Sequence, residues 1–216
     1  MANSLFYKTV SPLLLSVLKR LMVAKAFDEF RLVGGTGLSL HRGHRESVDI
    51  DLFTDAVYGS IDFNKIDSFL RSSFPYVDIS NNDIIGFGKS YFVGDSAFNS
   101  IKLDVFYTDE FIDSMKVIDN IRLASIEEII AMKLDVVQRG GRKKDFWDLH
   151  ELMDEYSISE MFSLHEKRYP YSHDKHLLKK NFTSFDNADG DFDPVCLREK
   201  HWELIKLDLI DFVKTL

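Results

Sequence analysis

The sequence predicts an α/β (α+β) fold in which a mixed sheet is flanked by helices and followed by a C-terminal helical region. Three observations predict it. A short strand-like run, Phe30-Arg31-Leu32-Val33, enters Gly34-Gly35-Thr36-Gly37 and then Leu38 and Leu40, the order of a strand, a glycine turn and a helix. Residues 47–53 and 101–107 alternate apolar and polar side chains, the period of half-buried strands. From Ser125 onward the spacing changes to that of helices.

Each element follows in turn. Within residues 5–27, Leu13, Leu14, Val17, Leu18, Leu21 and Met22 recur at helical spacing, with Lys19, Arg20 and Lys25 left for another face, so one helix or a broken pair is expected. In the strand at 47–53, Val48, Ile50 and Leu52 alternate with Asp49 and Asp51. Residues 62–72 read as a helix capped by Asp62 or Asn64, and residues 76–93 as two or three strands joined at Asn81-Asn82-Asp83. In the strand at 101–107, Ile101, Leu103 and Val105 alternate with Lys102, Asp104 and Phe106. Ser125 with Glu128 forms a capping box that opens a helix through Ile126, Ile129, Ile130, Lys133, Leu134 and Val137 to Gly140-Gly141. A second helix is expected over 143–156, and the rest is mostly helical apart from a loop at 186–194. That loop is acidic, but its glycine is misplaced for a calcium loop, so no metal role is expected of it. The chain divides into a core at 1–120 and a helical region at 121–216, with the boundary near Asn120.

Composition narrows the function classes. The chain has 216 residues, 45% hydrophobic and 29% charged, as in an ordinary soluble domain, and its 18 Phe against two Trp are expected to fill the interior. A net charge of −8 excludes a generally basic surface, so a nucleic-acid partner has to be gripped locally. The single cysteine, Cys196, excludes an internal disulfide and reads as a small, partly buried hydrophobe. The apolar stretch at 10–18 is broken by Lys19 and Arg20 well short of a membrane span, and a cytoplasmic protein without membrane contact is expected.

Asp49 and Asp51, two apart on a strand, point the same way and suit hard divalent cations. The glycine turn just before them offers backbone amides to a phosphate, with the Thr36 hydroxyl as a further donor and a helix start behind. Asp104, on a later strand, would complete a triad. The set suits phosphoryl or nucleotidyl transfer assisted by two metal ions. Arg45 and Ser47 either orient the aspartates or reach a phosphate, or form a salt bridge and a strand-entry hydrogen bond. His41 and His44 lack a third soft ligand and read as surface histidines or nucleotide contacts. Arg139, Arg142, Lys143 and Lys144 are the one basic run, either a solvated turn or a guide for RNA phosphates.

These segments resemble a known family. LVGGTGLSL at 32–40 with HRESVDIDLF at 44–53 is similar to the first motif of the AbiEii/AbiGii abortive-infection toxins, DNA polymerase beta-like nucleotidyltransferases. IEEIIAMKL at 126–134 with RGGRKKDFWDL at 139–149 resembles their second block, and SFDNAD at 184–189 a later segment. The resemblance implies a nucleotidyltransferase-like mixed sheet in which Gly34, Gly35 and Thr36 contact a nucleoside triphosphate (NTP). It implies that Asp49 and Asp51 bind magnesium, with two ions expected, and that Asp104 is the third carboxylate. Lys133 would meet the triphosphate, Asp145 would act near the reacting centre, and Lys144 and Asp148 belong to the same nucleotide-binding block. It further implies a toxin of a type IV-like toxin–antitoxin system, with tRNA 3′ ends as acceptor and a cognate antitoxin as partner. Thr36 stands where the wider superfamily has serine, keeping the hydroxyl, and Gly37 where the family has alanine. Two other readings are a non-catalytic binding module on the same fold and a transferase acting on a small molecule such as an antibiotic.

Overall fold

The computed structural model describes residues 4–79 and 86–216. The joint expected at Asn81-Asn82-Asp83 lies outside the described residues. At the N-terminal end, 3-10 turns at Tyr7–Thr9 and Lys25–Phe27 flank α1 (Pro12–Met22), so the stretch expected as one helix or two is one helix between tight turns. Ser11 caps it by accepting from Leu14 N at 3.1 Å, and Pro12 needs no donor in the first turn. Then come β1 (Arg31–Leu32), α2 (Gly34–Arg42), β2 (Asp49–Thr54) and α3 (Phe63–Ser73), the last capped by Asp62. The strands β3 (Tyr76–Ile79), β4 (Gly88–Ser96), β5 (Asn99–Tyr107), β6 (Lys116–Ile118) and β7 (Ile121–Leu123) follow. The remainder is α4 (Ile126–Gln138), α5 (Lys143–His150), α6 (Ile158–Arg168), α7 (Lys175–Asn181), α8 (Asp186–Asp189) and α9 (Trp202–Val213).

Among the described residues the strands form one seven-stranded sheet in the order β3-β4-β5-β2-β1-β7-β6. It is mixed: β2 runs parallel to β5 and β1 to β7, while the other neighbouring pairs are antiparallel. The turn between β6 and β7 contains Asp119 and Asn120, both at positive φ, and β7 returns beside β1. The sheet therefore extends past Asn120 into the segment that opens the helical region. The second C-terminal helix stops at His150 rather than near Tyr156. There Leu152 N bonds Leu149 O and Met153 N bonds His150 O, three-residue spacings that tighten the chain and bury Leu152.

The alternation read from the sequence sets the two faces of the sheet. Ile50 and Leu52 of β2 and Leu103 and Val105 of β5 are buried against α1 and α3 with Leu14, Leu18, Phe27 and Ile66. A second core joins α2 and α4 to α5, α6 and α9 through Leu38, Ile129, Leu134, Phe146, Trp147 and Trp202. The acids Asp49, Asp51 and Asp104 stand on the opposite side of the strands from the first core. Phenylalanine is not confined to the interior: Phe27, Phe30, Phe146 and Phe182 are fully buried, whereas Phe87, Phe98 and Phe192 are exposed.

Candidate active site

The glycine turn is the start of α2. Val33 remains extended and donates from its N–H to the Asp51 carbonyl at 2.9 Å, and Gly34 then turns at φ +66°. Only glycine takes that conformation without strain, and a Cβ there would also lie 2.5 Å from Asp51 Oδ2. A Cβ on Gly35 would lie 2.5 Å from Arg45 Nη2. The two glycines thus bring the helix start, whose first amides have no partner within the helix, against the acids of β2. Thr36, expected to add a hydroxyl donor, is buried instead. Its hydroxyl donates to the Asp49 carbonyl and lies 2.8 Å from Ser47 Oγ, so it fastens α2 to β2.

The parallel pairing of β2 with β5 sets Asp51 opposite Asp104 and Asp49 opposite Lys102. Burial, followed by the charges of Asp104 and Asp49, raises the Asp51 carboxyl to about 6, and Lys133 and Lys144 oppose that rise. Asp104 accepts from Ser90 Oγ at 2.6 Å and from Lys102 Nζ at 2.5 Å. Burial would lower the Lys102 ammonium, but its bond to Asp104 and the charges of Asp49 and Asp51 hold it above its ordinary value. Lys102 is therefore a counter-ion to all three acids.

The donors suit a hard divalent cation, being carboxylates in neighbouring positions whose repulsion a cation would relieve. As they stand they do not form a closed cage. Among the described residues no three His, Cys, Asp or Glu side chains gather closely enough to hold an ion.

Behind these acids lies a second charged group. Asp148, fully buried, accepts from Arg45 Nε at 2.6 Å and Nη2 at 2.8 Å, faces His44 Nε2 at 2.8 Å and pairs with Lys133 Nζ at 2.8 Å. Lys133 also donates to Asp145 Oδ1 at 2.6 Å, and Asp145 Oδ2 accepts from the Arg142 amide. Burial alone would raise the Asp148 carboxyl, yet Arg45 and Lys133 hold it well below the usual carboxylate range. Asp148 and Asp145 in turn hold the Lys133 ammonium up against its burial.

Arg45, Lys133, Asp145 and Asp148, expected as nucleotide-binding or catalytic residues, are thus brought together in a buried ion network, of which Arg45 also lines the cleft beside Asp49. Two of the three Lys133 N–H donors are engaged by Asp145 and Asp148. His44, expected at the surface or in contact with a nucleotide, belongs to the same network because Asp148 offers it a buried partner, and His41 reaches the Ala124 carbonyl at 3.2 Å.

Lys144 is different. Its Nζ lies 3.8 Å from Asp49 Oδ2, its side chain is partly exposed, and burial with the charges of Arg142 and Lys133 lowers its ammonium. With Arg142, Ser47, Val48 and Asp49 it lines a cleft of about 390 Å³ whose other wall is residues 191–195. That wall is tied on by main-chain bonds from Glu46 N to Val195 O and from Leu197 N to His44 O, each 2.9 Å. Sequence reasoning missed Lys102, Ser90 and this wall. Lys102 carried a signal, two residues before Asp104 on the same strand face, but main-chain pairing between residues 44–46 and 195–197 left none.

The chain matches the family described as "Nucleotidyl transferase AbiEii toxin, Type IV TA system" over residues 16–215. An uncharacterized protein of Aquifex aeolicus is 27% identical over 188 residues, covering 83% of this chain and 84% of that protein. JHP933 of Helicobacter pylori has a similar fold, with TM-score 0.60, 21% identity, and 94% of this chain and 88% of that one covered. So does MenT4, a nucleotidyltransferase toxin of Mycobacterium tuberculosis, with TM-score 0.56, 15% identity, and 94% and 84% covered. Among the described residues no helix is long and apolar enough to cross a membrane.

Proposed function

The chain belongs to the AbiEii family of nucleotidyltransferase toxins, and from that premise we propose that it moves a nucleoside monophosphate from an NTP to an RNA 3′ hydroxyl, with two magnesium ions. The observation that carries this reading is the juxtaposition of Asp51 with Asp104 across β2 and β5, beside Asp49 and the glycine start of α2. Asp49, Asp51 and Asp104 would hold the cations, with Lys102 swinging off Asp104 as they enter. Bound there, the metal would supply charge neutralisation for the attacking oxygen and the leaving pyrophosphate.

The remaining roles belong to the chain itself. The first amides of α2 and the Lys144 ammonium bind the triphosphate. The Thr36 and Ser47 hydroxyls keep α2 and β2 in register. The network of Asp148, Arg45, Lys133 and Asp145 fixes the wall behind Asp51, and the Lys133 charge lowers the Asp51 carboxyl toward its ionised form. Three cations near the acids, Lys102, Arg142 and Lys144, support a polyanionic acceptor over a small cationic one in this otherwise acidic chain. tRNA is the acceptor proposed because loss of its free 3′ end would stop translation, the action expected of a toxin, and a cognate antitoxin and a cytoplasmic setting go with that reading.

The test is incubation of the protein with each labelled NTP, magnesium and total cellular RNA. Label in the tRNA fraction that disappears with chelator and in Asp49→Ala is the expected result. Labelling of another acceptor, or chelator-resistant labelling, overturns the tRNA or the magnesium part respectively.

A further inference from the structure

The acids and the helix start account for one end of an NTP, and the cleft beside them is left without a use. Its order in space is informative. Gly35 sits against Arg45 and Ser47, Ser47 leads into Val48 and Asp49, and these face the wall at 191–195. An NTP with its phosphates on the α2 amides would therefore extend its sugar and base into the cleft, past Lys144.

The wall is built to present an aromatic ring. Lys143 is buried, and its amide donates to Asp191 Oδ2 at 3.0 Å while its ammonium donates to Asp191 O at 2.6 Å and Asp193 Oδ1 at 2.9 Å. One buried lysine holds both aspartates, and Phe192 between them is 99% exposed. Val48, on the opposite wall, and Val195, on the same wall as Phe192, are exposed as well. The result is an apolar surface rimmed by Arg142, Lys144, Asp191 and Asp193, next to the acids, of the kind that marks a ligand groove.

We propose that the cleft between Val48 and the 191–195 wall is the nucleoside subsite, with the nucleobase stacked on Phe192 and Lys143 positioning that ring. This rests on the NTP reading above. A π-face accepts any base, so Phe192 supplies affinity for the nucleoside without selecting among the four bases.

The test is calorimetric titration with magnesium and two probes, an NTP and inorganic tripolyphosphate, which has the phosphates and no nucleoside. Phe192→Ala should weaken NTP binding roughly tenfold, the scale of one lost base–aromatic stack, and leave tripolyphosphate binding unchanged. Phe192→Tyr should restore NTP binding, and Lys143→Met, checked for retained folding by circular dichroism, should weaken the NTP selectively as well. Unchanged NTP affinity in Phe192→Ala overturns the proposal, as does an equal loss for both probes. If the wild-type protein binds neither probe, the NTP reading itself fails, whereas binding of tripolyphosphate with failure of the Phe192 prediction removes only the subsite.

Discussion

Two acidic groups lie close together in this molecule, and they are compensated in opposite ways. Asp145 and Asp148 are buried with Arg45, Lys133 and His44, and Asp148 is held far below its ordinary value. Asp49, Asp51 and Asp104 share Lys102 and a distant Lys144, and Asp51 is raised to about 6. The first group is electrically complete, two acids matched by Arg45 and Lys133. The second carries more negative charge than its protein partners offset, which is the condition for recruiting a cation.

The comparison breaks most readily at its buried end. Asp148→Ala strips the partner from Arg45 and Lys133, and should lower stability by about 3–5 kcal/mol, measured by urea denaturation. A loss below about 1 kcal/mol would mean that the network is not complete as drawn. Asp51→Asn should do the reverse, leaving the protein folded while turnover drops by roughly 10²–10³-fold, the scale of losing a charge-stabilising group. Near-normal turnover would remove Asp51 from the chemistry.

The same variant has a pH signature. A carboxyl raised in the folded state binds its proton more tightly there than in the unfolded chain, so its stabilising contribution is complete only below about pH 4 and is lost as pH rises through about 6. Asp51→Asn should lack that decline, so its stability relative to wild type should improve between pH 4 and 7, and magnesium should narrow the gap at the upper end. Parallel pH profiles for the two proteins would contradict a raised Asp51 carboxyl.

Gly34→Ala places a Cβ against Asp51 at φ +66° and should cost about 1–2 kcal/mol in stability. Turnover should fall up to about 10²-fold, as for a misplacement near 1 Å, and kinetics alongside thermal melts would separate the two effects. The smallest effect is expected of Lys102→Met. Freed of its internal counter-ion, the site should bind magnesium a few-fold more tightly by calorimetry, with stability changed by less than about 1 kcal/mol. Weaker binding would make Lys102 a helper rather than a competitor.

Much of this was legible in the chain because it is local. Alternation placed Asp49 and Asp51 together on one strand face, Gly34 marked a turn that requires positive φ, and Ser125 with Glu128 marked the start of α4. Asp104 was legible as a strand acid, but its pairing with Asp51 depends on which strands become neighbours, and β3 and β4 intervene in the chain while lying outside that pair in the sheet. The burial of Thr36, His44 and Lys133 was hidden for a related reason. Their residue types suit a phosphate or a surface equally well, and only the packing of α2 and β2 against α4 and α5 closes them off.

The sequence by itself determined the periodicities, the caps, the glycine turn and the identity of the acids, since all of these act through neighbours within a few residues. Tertiary structure decided which charges meet. It set Lys102 among three carboxylates, Lys133 between Asp145 and Asp148, and Phe192 on a wall across from Val48. Those choices arise because an ionised group takes its state from burial and from charges brought near it by folding, and neither quantity is a property of the chain order.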